Sequence, residues 1–502
     1  MQREPTLRER GALLAGRGAG EAVRRLGRGG GTALPGLIAG ALAPGLVEAL
    51  GAQLGQGSVT VTGTNGKTST TRLLAEAVRR SGLEPVTNHS GSNLERGLVS
   101  AYVDEAGPDG VVPDPARSLG VLEVDEAALA SLLPRLRPRV AVFLNLFRDQ
   151  LDRYGEVDSV AEGWRDALLR LSGEVGDSGD GDTTLVLNAD DPTIATLGEV
   201  ARGPAQGPGQ RPTMTFGIED RSVALPGVEH AADARFCLCG EAFEYEAVYM
   251  GHVGVWRCDS CGRRRAEPDV AARDVELMAD SVSLQLDLRA EGPGRTLQID
   301  LPFAGLYSVY NALGAAAAAH ALGLPAEAIA DALEQAGPAF GRQERFTVDG
   351  RHVRLLLAKN PTSMNEVARA IAGATLGSDG PSVLLAILND GIADGRDVSW
   401  IYDADLEQLV DRTGSVVASG TRADDMALRL VLAGVEPAVV EPDIAAALEQ
   451  ALAITAEGGW LEVMPTYTAM LEVRELLATR TGAAPFWRTA EPAAPDAPEP
   501  SS

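Results

Sequence analysis

The apolar positions of this chain fall into two patterns that alternate along most of its length. Short unbroken apolar or β-branched runs, such as Ser58-Val-Thr-Val-Thr62 and Leu119–Val124, predict strands buried on both faces. A helical period follows the first of them, over Thr68–Arg80. The alternation restarts after Arg345, with strands predicted at Val353–Ala358, Val383–Leu388, Val416–Ser419, Ala438–Val440 and Leu461–Met464. Helices are predicted between them at Asn365–Ala374, Arg422–Ala433 and Ile444–Ala453. Alternation of this kind implies βαβ units and a mostly parallel sheet, so the fold class is α/β, with two such domains in series.

Four zones result. Residues 1–55 form a basic, Gly- and Arg-rich lead-in, and residues 56–343 a central α/β domain. Residues 344–484 form a second, Rossmann-like α/β domain, and residues 485–502 a Pro- and Ala-rich tail expected to be disordered. Gly173–Asp182 and Gly203–Pro212 read as surface loops.

Composition narrows the function classes. A length of 502 residues suits roughly three domains, and a 45% hydrophobic content excludes global disorder. With 44 basic and 70 acidic side chains the formal charge is −26, which excludes a general nucleic-acid binder. No apolar run reaches the roughly 18 residues of a membrane span, and even Ala33–Leu54 is broken by Pro35, Pro44 and Glu48. The first thirty residues run against the overall charge, with seven arginines and three glutamates, yet lack the apolar core of a signal peptide. Two readings stand for them: a solvated amphipathic helix, or attraction to an anionic membrane surface. Four cysteines in so long a chain do not make a disulfide scaffold, so a reducing, cytoplasmic setting is expected.

The candidate chemistry begins where the first strand runs into Gly63-Thr-Asn-Gly-Lys-Thr68 and then a helix. Glycines let backbone N–H groups converge on phosphate oxygens, and a helix N-terminus favours the anion. In this reading Gly63, Thr64, Asn65 and Gly66 cradle ATP phosphates, Lys67 reaches the outer ones and Thr68 ligates Mg²⁺. The longer form of the loop has a glycine where this chain has Val61, so the shorter form is indicated. Glu123, Asp125 and Glu126 follow the strand Leu119–Val124, at the sheet edge where α/β proteins bind ligands. Glu123 is the candidate second Mg²⁺ ligand.

Cys237-Leu-Cys239 and Cys258-Asp-Ser-Cys261 form two pairs with 18 residues between the inner cysteines, and Gly240 and Gly262 follow them. That spacing suits a structural zinc ribbon at about 233–268, although Cys-x-Cys is shorter than the regular knuckle. Such a ribbon would use all four thiols and leave none as a nucleophile.

Six motifs together resemble the Mur ligases. They are the phosphate loop, Glu123-Val-Asp-Glu126, Asn145–Gly155, Asn188-Ala-Asp-Asp-Pro192, Tyr310-Asn-Ala-Leu-Gly-Ala315 and Gly341-Arg-Gln-Glu-Arg-Phe346, in the family's order. Gln150 stands where many amino-acid-adding members have histidine. The blocks Leu355–Ser363, Leu388–Trp400, Gly420-Thr-Arg-Ala423 and Pro465-Thr-Tyr-Thr468 are similar to those of the MurT subfamily, the ligase-like subunit of lipid II isoglutaminyl synthase.

The resemblance implies an ATP-dependent ligase that makes an acyl phosphate, with Lys67 and Glu123 in catalysis. Asn311 and Arg342 would contact the nucleotide, and Asn188 and Asp190 would line its base or ribose side; Asn311 reads equally as a helix cap. It also implies the α-carboxylate of D-Glu in the lipid II stem peptide as substrate, and a GatD-like partner that releases ammonia from glutamine. Asp397 would complete that partner's Cys-His pair, with Asp394 as the fallback; from spacing alone the loop Asp390–Asp397 is an acidic helix cap. Lys359 is either a cation facing the acyl phosphate or a surface lysine. The alternatives are a free-standing amino-acid ligase of Mur or folylpolyglutamate type, and a nucleotide-dependent scaffold without chemistry.

Overall fold

The computed structural model describes residues 5–25, 34–88, 93–107, 109–149, 157–173, 183–202, 211–230, 232–289, 294–337, 341–374 and 381–483. Gln150, much of the two predicted surface loops and the predicted disordered tail lie outside the described residues.

Two sheets organise the chain. The strands of the first are β1 (Ser58–Thr62), β2 (Glu84–Thr87), β3 (Ser118–Glu123), β4 (Val140–Phe143), β5 (Thr184–Asn188) and β6 (Thr213–Ile218). After the hairpin β7 (Glu244–Met250) and β8 (Val253–Arg257), the same sheet continues with β9 (Val270–Leu277), β10 (Val282–Leu288) and β11 (Arg295–Leu301). Its nine strands lie in the order β11-β10-β9-β6-β5-β4-β1-β3-β2. All neighbours from β2 to β9 pair parallel, and only β10 and β11 add antiparallel. Connections reach β3 on one side of β1 and β4 on the other, so the loop after β1 sits at the topological switch point.

The central strands β1, β3 and β4 are buried on both faces, which explains their mostly apolar runs, whereas β10 and β11 at one edge alternate. Along β4, Val140 and Val142 enter one core with the Ala-rich helix Leu306–Ala321, while Ala141 and Phe143 enter the other with Trp164. The opening segment differs from the predicted solvated lead-in. It forms the helices Leu7–Arg25, Leu34–Leu42 and Leu46–Gly51, and Ala12, Leu13, Ala39, Leu46 and Val47 join that second core. Its leucines and alanines recur at helical spacing, so one face finds apolar cover against the helix Glu95–Glu105.

The second sheet holds β12 (Arg342–Val348), β13 (Arg351–Leu356), β14 (Ser382–Ile387), β15 (Thr413–Ser419), β16 (Val439–Glu441) and β17 (Trp460–Pro465). The order is β12-β13-β17-β14-β15-β16, parallel throughout except for the β12–β13 hairpin. At its centre Arg354 and Glu462, on neighbouring strands, make a buried bidentate pair with both contacts at 2.8 Å. Arg354 also donates to Ala279 O at 3.1 Å, beyond the end of β9, and so ties this sheet to the first. Gln343 has φ of +59° and forms paired bonds of 2.8 Å with the backbone of Ala304, which clamps the start of β12 to the first domain.

Candidate active site

The phosphate loop takes its shape from its glycines. Gly63 and Gly66 have φ of +137° and +91°, a region that side chains disfavour. A Cβ on Gly66 would lie 2.2 Å from Asn311 Oδ1, and one on Gly63 would lie 2.9 Å from Asn145 O. The loop then enters the helix Lys67–Arg80, whose first N–H groups face the switch point. Asn145 holds the loop from below: it accepts from Asn65 N at 2.9 Å and donates to Asn65 O at 3.0 Å.

Around this loop the titratable groups converge. Thr68 Oγ1 donates to Glu123 Oε2 at 2.8 Å, which brings together two hard oxygen donors 55 residues apart. That donor set fits Mg²⁺, which takes one or two protein oxygens and completes its shell with water and phosphate. Asn88 orients Glu123, with bonds to its backbone N–H and carbonyl at 2.8 and 2.9 Å. Lys67 donates to Gly63 O at 2.6 Å and pairs with Glu126 at 3.0 Å, both side chains buried. Burial raises the Glu126 pKa, against the opposing pull of Lys67 and then Lys359.

The second domain closes over the same place. Lys359, on the loop after β13, pairs with Asp149, and Asn360 Nδ2 donates to Asn65 Oδ1 at 3.1 Å. Burial lowers the Lys359 pKa, but Asp149 and then Glu126 outweigh it, so the ammonium is favoured. Arg342 opens β12 beside the cleft, its guanidinium pKa depressed by burial and supported by Glu123. A solvent-open cleft of about 680 Å³ runs between the domains, lined by Asn65, Gly66, Asn311, Arg342, Lys359 and Glu366 among others. A neighbouring hollow of about 380 Å³, lined by Arg72, Phe303 and Tyr307, shares Asn311 and Arg342.

Two expected nucleotide contacts, Asn188 and Asp190, do not line either hollow. Asn188 is buried, donating to Leu144 O at 2.9 Å and accepting from Asp190 N at 3.0 Å. Asp190 is fully enclosed: Arg265 Nε at 2.5 Å, Tyr310 Oη at 2.8 Å and Ile218 N at 2.8 Å take its oxygens. It braces the β7–β8 hairpin against the first sheet, because Gly254 N also donates to its carbonyl at 2.8 Å.

The four cysteines meet beside that hairpin. Their Sγ atoms all lie within 4.8 Å of one another, and Cys237–Cys261 and Cys239–Cys258 are both 3.5 Å apart. A zinc–sulfur bond of about 2.3 Å in a tetrahedron requires edges of roughly 3.8 Å, whereas a disulfide would need about 2.05 Å. The donor set therefore fits tetrahedral Zn²⁺. The short Cys-x-Cys pair is accommodated because Gly240 turns at φ of +93°, with its N–H bonded to Cys237 O at 2.8 Å.

In the second domain the two candidate aspartates part company. Asp394 is buried and bonds Thr468 N at 2.8 Å and the Thr468 hydroxyl, so it secures the helix Tyr467–Thr481. Asp397 is exposed and accepts from Ser399 N at 2.9 Å. The Ser399 side chain, and then its backbone N–H, hold the Asp397 carboxyl below the usual range against a small opposing effect of burial. Ile392 and Tyr402 are exposed nearby. Sequence reasoning passed over Asn145, Asp149, Asn360 and Gln343 as site residues, although all lie within or beside stretches whose pattern singled them out.

Comparison with known proteins agrees with this architecture. A family model described as Mur ligase middle domain matches residues 61–253, and one described as MurT ligase C-terminal matches residues 357–470. The chain is 30% identical over 464 residues to the lipid II isoglutaminyl synthase (glutamine-hydrolyzing) subunit MurT of Staphylococcus aureus, covering 91% of this chain and 95% of that one. The corresponding subunit of Streptococcus pneumoniae is 30% identical over 475 residues, covering 93% and 96%. Of solved structures, MurF from Acinetobacter baumannii shares the fold, with a TM-score of 0.61 at 21% identity over 89% of this chain and 81% of that one. With both family models matched in order and the two subunits covered almost end to end, the chain belongs to the MurT family of Mur ligases.

Proposed function

We propose that this chain is the synthetase subunit of a two-chain amidotransferase, which converts the D-Glu α-carboxylate of the lipid II stem peptide to D-isoglutamine. The observation that carries this reading is the convergence around the phosphate loop of two sets of groups: Lys67, Thr68 and Glu123 from the first domain, and Arg342 and Lys359, which line the cleft beside Asn65 and Gly66, from the second.

In the first step a carboxylate oxygen attacks the γ-phosphorus of ATP, ADP leaves, and an acyl phosphate forms. Ammonia then attacks the carbonyl carbon, and inorganic phosphate departs with the oxygen that came from the carboxylate. The loop N–H groups and Lys67 hold the phosphates, and Lys67 exchanges Glu126 for them. Mg²⁺ held by Thr68 and Glu123 would neutralise phosphate charge. Asn311, which is packed against Gly66 and lines both hollows, would contact the nucleotide. Arg342 and Lys359 offer positive charge to the acyl phosphate, and the second domain covers it from water. Zn²⁺ at the four cysteines would be structural, since four protein ligands leave no open position.

Asp397 has an exposed carboxylate, as a residue that completes a partner's Cys-His pair requires. The opening helices would supply a surface for the lipid-linked substrate. No helix among the described residues is long and apolar enough to cross a membrane. Leu7, Leu14, Leu37 and Leu42 are 87%, 54%, 52% and 47% exposed on adjoining helices, beside Arg8, Arg10 and Arg17. That combination suits an anionic bilayer carrying the substrate.

The test is amidation of lipid II with ATP, supplying either ammonium or glutamine. The reading expects ammonium alone to suffice, and glutamine to serve only with a GatD-like partner and an intact Asp397. Ligation of a free amino acid in place of ammonia would overturn it.

A further inference from the structure

The segment that leads into the cysteine ribbon also bridges the two domains. Glu229, buried, accepts from Gly251 N at 2.5 Å and Asn365 Nδ2 at 3.0 Å, and pairs with Arg369 at 2.7 Å. His230 Nδ1 lies 3.0 Å from Asp405, which in turn accepts from Asn365 Nδ2 at 3.5 Å. Asp233 accepts from the backbone N–H of Arg148 at 2.8 Å and ion-pairs with its guanidinium. The other arm of that guanidinium reaches Asp403 at 3.3 Å.

The two ends of this bridge are the two working parts of the chain. Arg148 lies three residues after Asn145, which holds Asn65 of the phosphate loop, and immediately before Asp149, which holds Lys359. Asp403 ends the short 3₁₀ turn Ser399–Asp403, and Asp397 accepts from the first N–H of that turn. Arg148 is suited to the span, because a planar guanidinium can engage two carboxylates at once. Asp233 is buried and Asp403 is exposed, so the outer pair can shift without unfolding either domain while the inner one stays anchored.

We propose that Arg148 is a positioning residue that couples the two sites. Through Asp233 and Asp403 it ties the stretch Asn145–Asp149 to the turn whose first N–H bonds Asp397. Phosphates entering the loop alter the hold of Asn145 on Asn65, and the strap passes that change to Asp397. Glutamine hydrolysis in the partner then follows occupancy of the ATP site. This rests on the amidotransferase reading above.

The experiment uses the full heterodimer and measures glutamate release from glutamine, with and without a non-hydrolysable ATP analogue plus Mg²⁺. Ammonium-dependent amidation is the second readout. In the native complex the analogue should stimulate hydrolysis at least about fivefold, the lower end of ordinary coupling. In Asp403→Asn, and independently in Asp233→Asn, stimulation should fall toward none while ammonium-dependent amidation is kept. Stimulation that persists in both variants, or its absence from the native complex, would overturn the coupling and leave the amidotransferase reading intact. A heterodimer that never hydrolyses glutamine would overturn both.

Discussion

Replacing Lys67 by methionine should damage this enzyme twice, through stability as well as through phosphate binding. Lys67 and Glu126 are both buried and 3.0 Å apart, worth about 5–6 kcal/mol of Coulomb attraction at an effective dielectric near 20. Desolvation offsets part of this, and breaking such a pair from one side costs about 3–5 kcal/mol. Burial already raises the Glu126 pKa, and losing Lys67 removes the largest force opposing that rise. Above its ordinary range Glu126 then binds more protons folded than unfolded, so stability falls as pH rises and recovers on acidification. The double variant Lys67→Met/Glu126→Gln should regain most of the lost stability at neutral pH, with no recovery of ATP turnover. Guanidinium unfolding at several pH values, alongside ADP release, separates the two effects. A single variant as stable as the native chain at neutral pH would refute the reasoning, as would one destabilised equally at every pH.

Three further outcomes are expected. Cys258→Ser should lower bound zinc below one ion per chain, measured by elemental analysis of the purified protein; undiminished zinc would place the metal elsewhere. Arg354→Met should destabilise the second domain by about 3–5 kcal/mol by leaving Glu462 buried and unpaired, and Arg354→Met/Glu462→Leu should recover most of it; hydrogen exchange in β13 and β17 reports both. Leu7→Ser combined with Leu14→Ser should reduce sedimentation with phosphatidylglycerol vesicles while leaving amidation of a water-soluble substrate unchanged; equal sedimentation would exclude that face.

Much of the fold was legible because its central strands, β1, β3, β4 and β14 among them, are short, mostly apolar runs. The run Ser58–Thr62 followed by Gly63 and Gly66 specifies strand, loop and helix with little help from the rest of the chain. The paired cysteines were likewise legible as a cluster, since spacing and following glycines are local properties. What stayed hidden depends on distant partners. Glu126 stood out only as part of an acidic cluster, and its pairing with Lys67 spans 59 residues. Asp190 was read as lining the nucleotide's base or ribose side, and its enclosure could not be seen in the sequence because Arg265 and Tyr310 lie 75 and 120 residues away. Spacing alone does not separate Asp394 from Asp397, which only the resemblance ranked; the bonds of Thr468 to the former show their different surroundings. The opening segment was legible in part: it read as a solvated amphipathic helix, and the cover of its apolar face comes from the later helices Leu34–Leu42 and Glu95–Glu105.

The central claim is activation of a carboxylate as an acyl phosphate within the cleft between the two sheets. Its most direct test is ATP-dependent amidation of lipid II whose D-Glu α-carboxylate is enriched in ¹⁸O, followed by mass spectrometry of the released phosphate. The account predicts one labelled oxygen in each phosphate, transferred when the carboxylate attacks the γ-phosphorus. Amide product formed with unlabelled phosphate would contradict it.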